Sequence, residues 1–263
     1  MSLKNLFSLT IFYLFFITSV FAENMARVIY EKPINKYEAK IEKEIRDSGV
    51  IEDVTVFINE QFRLSKPLYL KFGGKDGPLY DPAFNEIFIP YTFIQEVKNR
   101  FKSATYSETG VSVNDATMDA VMHTLFHELG HALIFTYNLP VLGKEEDAAD
   151  SLASVLLIEY FDDGAEIAIS AADLFDLESE DIDEFEEEDF WDEHSLDAQR
   201  FYSTLCHVYG SDPKEYNSLK KEIGLSEERA EICIDEYESV LRSWFSLLKP
   251  HFKPNIKFKV RQS

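Results

Sequence analysis

The sequence predicts an α+β fold that is mainly helical, with a small sheet and a helical C-terminal part. Three observations carry this. Apolar residues recur at helical spacing over long stretches, as in Met118, Val121, Met122, Leu125, Leu129, Ala132 and Leu133. Two short runs, Pro67 to Phe72 and Glu86 to Ile89, have strand composition and lie between Gly and Pro punctuation. Residues 23–263 are enough for one α+β domain with a full core.

Residues 1–22 read as a signal peptide rather than as part of the fold. Lys4 gives a short basic start, Leu6 to Val20 is apolar and Phe-rich, and Val20-Phe21-Ala22 fits a cleavage site before Glu23. The run is too short to be a good membrane span, although an uncleaved signal anchor is the alternative. No Cys follows it, which argues against a lipid anchor. The expected location is therefore exported, periplasmic or secreted, with no stable membrane insertion once the signal is cut.

Next come two helices. Asn35 to Asp47 carries charges on one side, and Ile51 to Phe62 places Val54, Phe57, Ile58 and Phe62 at helical spacing. In the strand from Pro67 to Phe72, Leu68 and Leu70 alternate with Tyr69 and Lys71. Gly73 to Gly77 is a turn, Glu86 to Ile89 is a second strand ended by Pro90, and a helix from Thr92 to Phe101 follows.

A longer helix begins after Ser112 or Asn114, either of which can cap it, and meets no Pro before Pro140. It carries the pentad His127-Glu128-Leu129-Gly130-His131, an H-E-x-x-H pattern. On a helix the two His sit about 6 Å apart along the axis and about 40° apart around it. Both imidazoles can therefore reach one tetrahedral Zn2+. Glu128 lies on the adjoining face, where a carboxylate can take a proton from water activated by the metal. Gly130 costs a helix about 1 kcal/mol relative to Ala, but its bare backbone lets another element pack close between the two His. His123 lies one turn earlier. Three His at this step span about 12 Å, too long for one ion with ~2.1 Å bonds, so His123 reads as a supporting or core residue. His207 and His251 read as ordinary.

A catalytic zinc uses three protein ligands. Asn138 to Gly143 reads as a turn, and Gly143 onward reads as a helix with Leu152, Val155, Leu156 and Tyr160 on its apolar stripe. Packed antiparallel, its acids face the His pair. Glu146 is the preferred third ligand, with Glu145 and Asp147 as alternatives. Asp150 shares the face of Glu146 and is placed to accept a hydrogen bond from the far nitrogen of a ligating His. The blander reading is that these acids only complement the helix dipole.

The pentad followed by E-x-x-x-D on the next helix is similar to the gluzincin metallopeptidases. More closely, the chain resembles a family of secreted bacterial metallopeptidase-like proteins of undetermined function. The resemblance rests on Tyr80-Asp81-Pro82-Ala83, His127 to Ile134, Glu145 to Leu157, and His194 to Tyr202 with Leu205-Cys206. It implies a single zincin-like domain over 23–263, with His127, His131 and Glu146 on zinc and Glu128 as base. It also implies an edge strand beside the active-site helix, for which Asn85 to Tyr91 is the candidate. His194, at the start of a helix from Ser195 to Tyr209, becomes the favoured catalytic donor to the oxyanion. Arg200 and Tyr202 are the other candidates, and a helix-capping His194 is the plainer reading. The acidic stretch before His194 departs from a generic gluzincin.

That stretch, Asp176 to Glu193, holds 12 acids in 18 residues, so it reads as a solvated loop. The sharper reading is a lid, or a calcium-binding or cation-recruiting loop beside the site, although no spacing here matches an EF-hand. Phe185, Phe190 and Trp191 suggest that part of it packs down. The only cysteines, Cys206 and Cys233, are expected to form a disulfide in an oxidising compartment.

The formal charge of −22 repels nucleic acid and anionic lipid. It is compatible with peptide or protein substrates, including basic ones. The function expected from the residues is an exported zinc-dependent metallopeptidase. The rivals are a catalytically inactive zincin-like binding module in the cell envelope, a structural or interaction protein in which the pentad is incidental, and a hydrolase of non-peptide substrates on the same metal site.

Overall fold

The computed structural model describes residues 24–182 and 184–254, so the signal-peptide reading of residues 1–22 lies outside the described residues. The elements in order are β1 (Ala26–Tyr30), α1 (Lys36–Ser48), α2 (Val50–Gln61), β2 (Leu68–Phe72), β3 (Leu79–Asp81), β4 (Glu86–Ile89) and α3 (Tyr91–Ser103). There follow α4 (Val113–Tyr137), α5 (Glu145–Tyr160), α6 (Gly164–Ser179), α7 (Glu187–Trp191), α8 (Asp197–Ser211), α9 (Asn217–Glu222) and α10 (Glu227–Leu248). The fold is α+β and mainly helical, with one four-stranded mixed sheet.

The sheet order is β1-β2-β4-β3. β1 and β4 flank β2 in parallel, and β3 turns back antiparallel onto β4. Two strands escape the sequence pattern. β1 is half-buried with no clean alternation, while β3 has only 3 residues, too few to show a period. The second omission moves the edge. The Asn85 to Tyr91 candidate corresponds to β4, which is internal because β3 covers its outer side. Pro90 ends the strand as expected and takes the N-cap position of α3. The edge strand near the pentad helix is β3.

α4 is the central element. It is apolar nearly all round, and its buried residues run from Ala116 to Ile134 with few gaps. Ser112 caps it, its hydroxyl accepting from the Asp115 N–H at 3.1 Å. Asn138 ends it in the left-handed conformation, φ 50°. α5 is buried on most sides as well, so the two helices form the inner layer on which the sheet, α3, α6 and α8 pack.

The acidic stretch is not one loop. Its first residues finish α6, and Glu187–Trp191 form the short helix α7, capped by reciprocal bonds between Glu186 and Asp189. Arg100 of α3 holds Asp181 at 2.6 Å. The three aromatics do not pack down: Phe185, Phe190 and Trp191 are 56%, 67% and 66% exposed. The surrounding acids must stay solvated, and this keeps the segment at the surface.

Cys206 of α8 and Cys233 of α10 are joined by a disulfide, with Cα atoms 5.1 Å apart and both side chains buried. Gly210 lets the helices meet there, because a Cβ would fall 2.2 Å from the Cys233 carbonyl oxygen. Among the described residues no helix is long and apolar enough to cross a membrane. The disulfide closes a separation of 27 residues, and the chain-entropy model puts its contribution at about 3–4 kcal/mol. A Cys206→Ser/Cys233→Ser variant is expected to lose that much in denaturant titration, and wild-type protein unfolded under reductant should match it.

Candidate metal centre

α4 and α5 run antiparallel, since partners on α5 fall from Asp150 to Glu145 as α4 rises from His127 to His131. The axes approach closely at Gly130. A Cβ there would lie 3.1 Å from the Cα and 3.2 Å from the Cβ of Ala149. This is the close packing that the glycine between the two His allows, and it puts the acidic first turn of α5 over the His pair.

Three ligand-type atoms converge. His127 Nε2 lies 3.2 Å from His131 Nε2, and Glu146 Oε2 lies 3.1 Å and 3.2 Å from the two nitrogens. Among the described residues His127, His131 and Glu146 form one group able to hold a metal ion. The donor set fits zinc: a tetrahedral ion with bonds of ~2.1 Å keeps its ligand atoms about 3.4 Å apart, close to the separations found.

The outer atoms are committed too. His127 Nδ1 donates to Asp150 Oδ1 at 2.7 Å, which turns the Nε2 lone pair toward the centre. His131 Nδ1 pairs in the same way with Glu145 Oε1 at 2.8 Å. Glu145 is therefore placed behind a His rather than beside the three converging atoms, and Asp147 faces a neighbouring cleft. Arg200 does not face the recess of the centre. Its Nε and Nη2 donate to Asp150 at 2.8 Å and 3.0 Å, and its guanidinium lies 3.9 Å over the Phe175 ring. Tyr202 is about half exposed and also lies outside the recess.

His194 does reach the centre. Its Nε2 lies 3.0 Å from Glu146 Oε2, so it does not cap α8, whose first turn begins beyond it. Lys144 holds the segment in place by donating to the carbonyls of Asp192 and His194 at 3.0 Å and 2.9 Å. His123 is fully buried with its ring edge-on to Phe175, and burial lowers it to about 4, so it stands neutral in the core.

The electrostatics favour a cation. Burial alone would raise the Glu146 carboxyl, but bonds from His127, His131 and His194 outweigh it and hold the group well below the usual carboxylate range. Asp150 behaves alike, with burial overcome by His127 and Arg200. Burial pushes His127 down, yet Asp150 and Glu146 bring it up to about 9. Glu128 is raised mainly by burial, partly opposed by His127 and His131. Without an ion, the protons of the paired His and the Arg200 guanidinium offset these buried acids, and a cation held by the three converging atoms would take the place of those protons.

The recess in front of the three atoms has a volume of about 340 Å³. Glu128 and His194 line it, and its far wall is Leu79 and Tyr80 of β3 with Phe135 of α4. Sequence reasoning had no role for Leu79, Phe135 or Lys144. For Leu79 the missing signal was β3 itself. For Phe135 it was the position one turn beyond His131, on the same face of α4.

A family described as "Putative metallopeptidase" matches residues 30–248, most of the chain. The chain belongs to this family. The match spans every element of the centre, from β3 to α8. No match was found among curated proteins or among solved structures.

Two outcomes follow from the packing behind the centre. Gly130→Val should separate α4 from α5 and lose metal on dialysis, while Gly130→Ala keeps metal at reduced affinity; undiminished affinity in the Val variant would detach this contact from the site. Asp150→Asn should weaken metal binding about 10–100-fold, read by chelator competition.

Proposed function

We propose that this protein is an exported zinc-dependent peptidase in which His127, His131 and Glu146 hold the ion and Glu128 is the general base. The observation that carries the reading is the meeting of two imidazole nitrogens and one carboxylate oxygen within 3.1–3.2 Å. Zinc bound there would polarise the scissile carbonyl and bring the pKa of water toward ~7.

The chain's own residues supply the rest. Glu128 lies in the recess at 6% exposure, and its raised carboxyl is a better base than an exposed one. It takes the proton from the attacking water and returns it to the leaving amine. His194 can swing its Nε2 proton from Glu146 toward the oxyanion as charge develops there. Asp150, braced by Arg200, fixes the tautomer of His127. The open edge of β3 offers main-chain groups to which an extended peptide can add as a strand.

The family membership and the disulfide support this reading of chemistry and of an exported location. The substrate is a peptide or protein. The charge of −22 favours cationic chains over nucleic acid at long range.

Glu128→Gln is expected to keep its zinc, by metal analysis, and to lose hydrolysis of a mixed peptide library by at least about 10²-fold. Full activity in that variant would remove Glu128 from the mechanism. A zinc-loaded wild type that leaves the library intact would favour a binding role.

A further inference from the structure

Beside the recess of the candidate centre lies a second one, also of about 340 Å³. The two share Pro82 and Phe135 as walls, so they lie side by side. Phe135 sits one helical turn, about 6 Å, beyond His131. The second recess is therefore next to the place where a scissile bond would lie.

Its chemistry differs from the rest of the surface. Phe135 is 60% exposed and Phe84, which also lines the recess, is 68% exposed. Tyr69 adds a third ring, and Lys66 is the one charged residue of the lining. In a chain with 48 acids, a recess with aromatic walls and no carboxylate is a local exception. Exposed aromatic rings around a concave surface mark a place where apolar groups are bound.

The walls are also fixed in advance. The Tyr80 hydroxyl donates to Asn85 Oδ1 at 2.8 Å, and Asn85 Nδ2 donates to the Pro67 carbonyl at 2.7 Å. The Tyr80 ring in turn contacts Phe135, with centroids 6.1 Å apart. β3, the start of β2, the turn before β4 and the end of α4 are thus tied into one rim. A rigid rim loses little entropy when it is filled.

We propose that this recess is a specificity subsite that seats a bulky apolar side chain of a peptide substrate, with Phe135 and Phe84 as its walls. The proposal rests on the peptidase reading, which supplies the peptide. Its occupant is a substrate segment rather than a second copy of the chain, because the recess adjoins the candidate centre, with Phe135 and Pro82 as walls of both. The long-range acidic field and this subsite make separate demands: cationic character along the peptide, and an apolar anchor beside the cut.

The test digests a mixed peptide library with zinc-loaded full-length wild type, Phe135→Ala and Phe84→Ala. Both replaced rings are more than half exposed, so folding should survive. Wild type is expected to prefer Phe, Leu, Met or Tyr over Ala at one position near the cleaved bond by about tenfold or more. Each variant should flatten that preference toward unity. Cleavage without an apolar preference, or a preference unchanged in both variants, overturns the subsite and leaves the peptidase reading intact.

The same variants are titrated calorimetrically with a Phe-containing peptide and its Ala counterpart. If wild type cleaves nothing but binds the Phe peptide selectively, and Phe135→Ala abolishes the selectivity, the subsite stands and the peptidase reading falls. If there is neither cleavage nor selective binding, both fall. Sedimentation across concentration closes the remaining route: self-association lost in Phe135→Ala, with no change in peptide selectivity, assigns the patch to a second copy and overturns the proposal.

Discussion

The approach of Gly130 to Ala149 sets the geometry of everything around it. Two helices in contact at a residue without a side chain lie closer than two helices padded by leucines. That closeness brings a carboxylate from the first turn of α5 level with imidazoles in the middle of α4. The cost is a poor helix former at the centre of a long helix, about 1 kcal/mol relative to Ala. It is offset by burial, since Leu125, Phe126, Leu129 and Leu133 around it are fully enclosed.

Behind that contact runs a chain of polar groups from three helices: Arg200 on α8, Asp150 on α5 and His127 on α4. Asp150 and His127 are buried and Arg200 is mostly so. A buried charge left alone is expensive, so removing any one member strands the others. The arrangement contributes orientation more than stability. It fixes which nitrogen of His127 carries the proton and where its ring points.

The centre is legible in the sequence because helical periodicity places side chains well. The spacing of His127, Glu128 and His131 and the E-x-x-x-D register of α5 are statements about one face of one helix. Glu145 shows the limit of such reading: the register with Asp150 favours Glu146 but leaves Glu145 open, and only the packing puts Glu145 behind His131 rather than among the converging atoms. Arg200 shows the same limit across elements, because a residue on α8 could face either side of Asp150. The sheet is less legible. β3 has too few residues to show a period, and without it β4 passes for an edge. In the acidic stretch, hydrophobicity alone suggested that Phe185, Phe190 and Trp191 would turn inward. The hydration of the acids around them decided the matter instead.

Cys206 lies on the same helix as Arg200, less than two turns farther on, and its sulfur is bonded to α10. Fewer than two turns of one continuous helix therefore separate the crosslink from the guanidinium behind Asp150. The helix that carries the brace of Asp150 is thus itself anchored to α10.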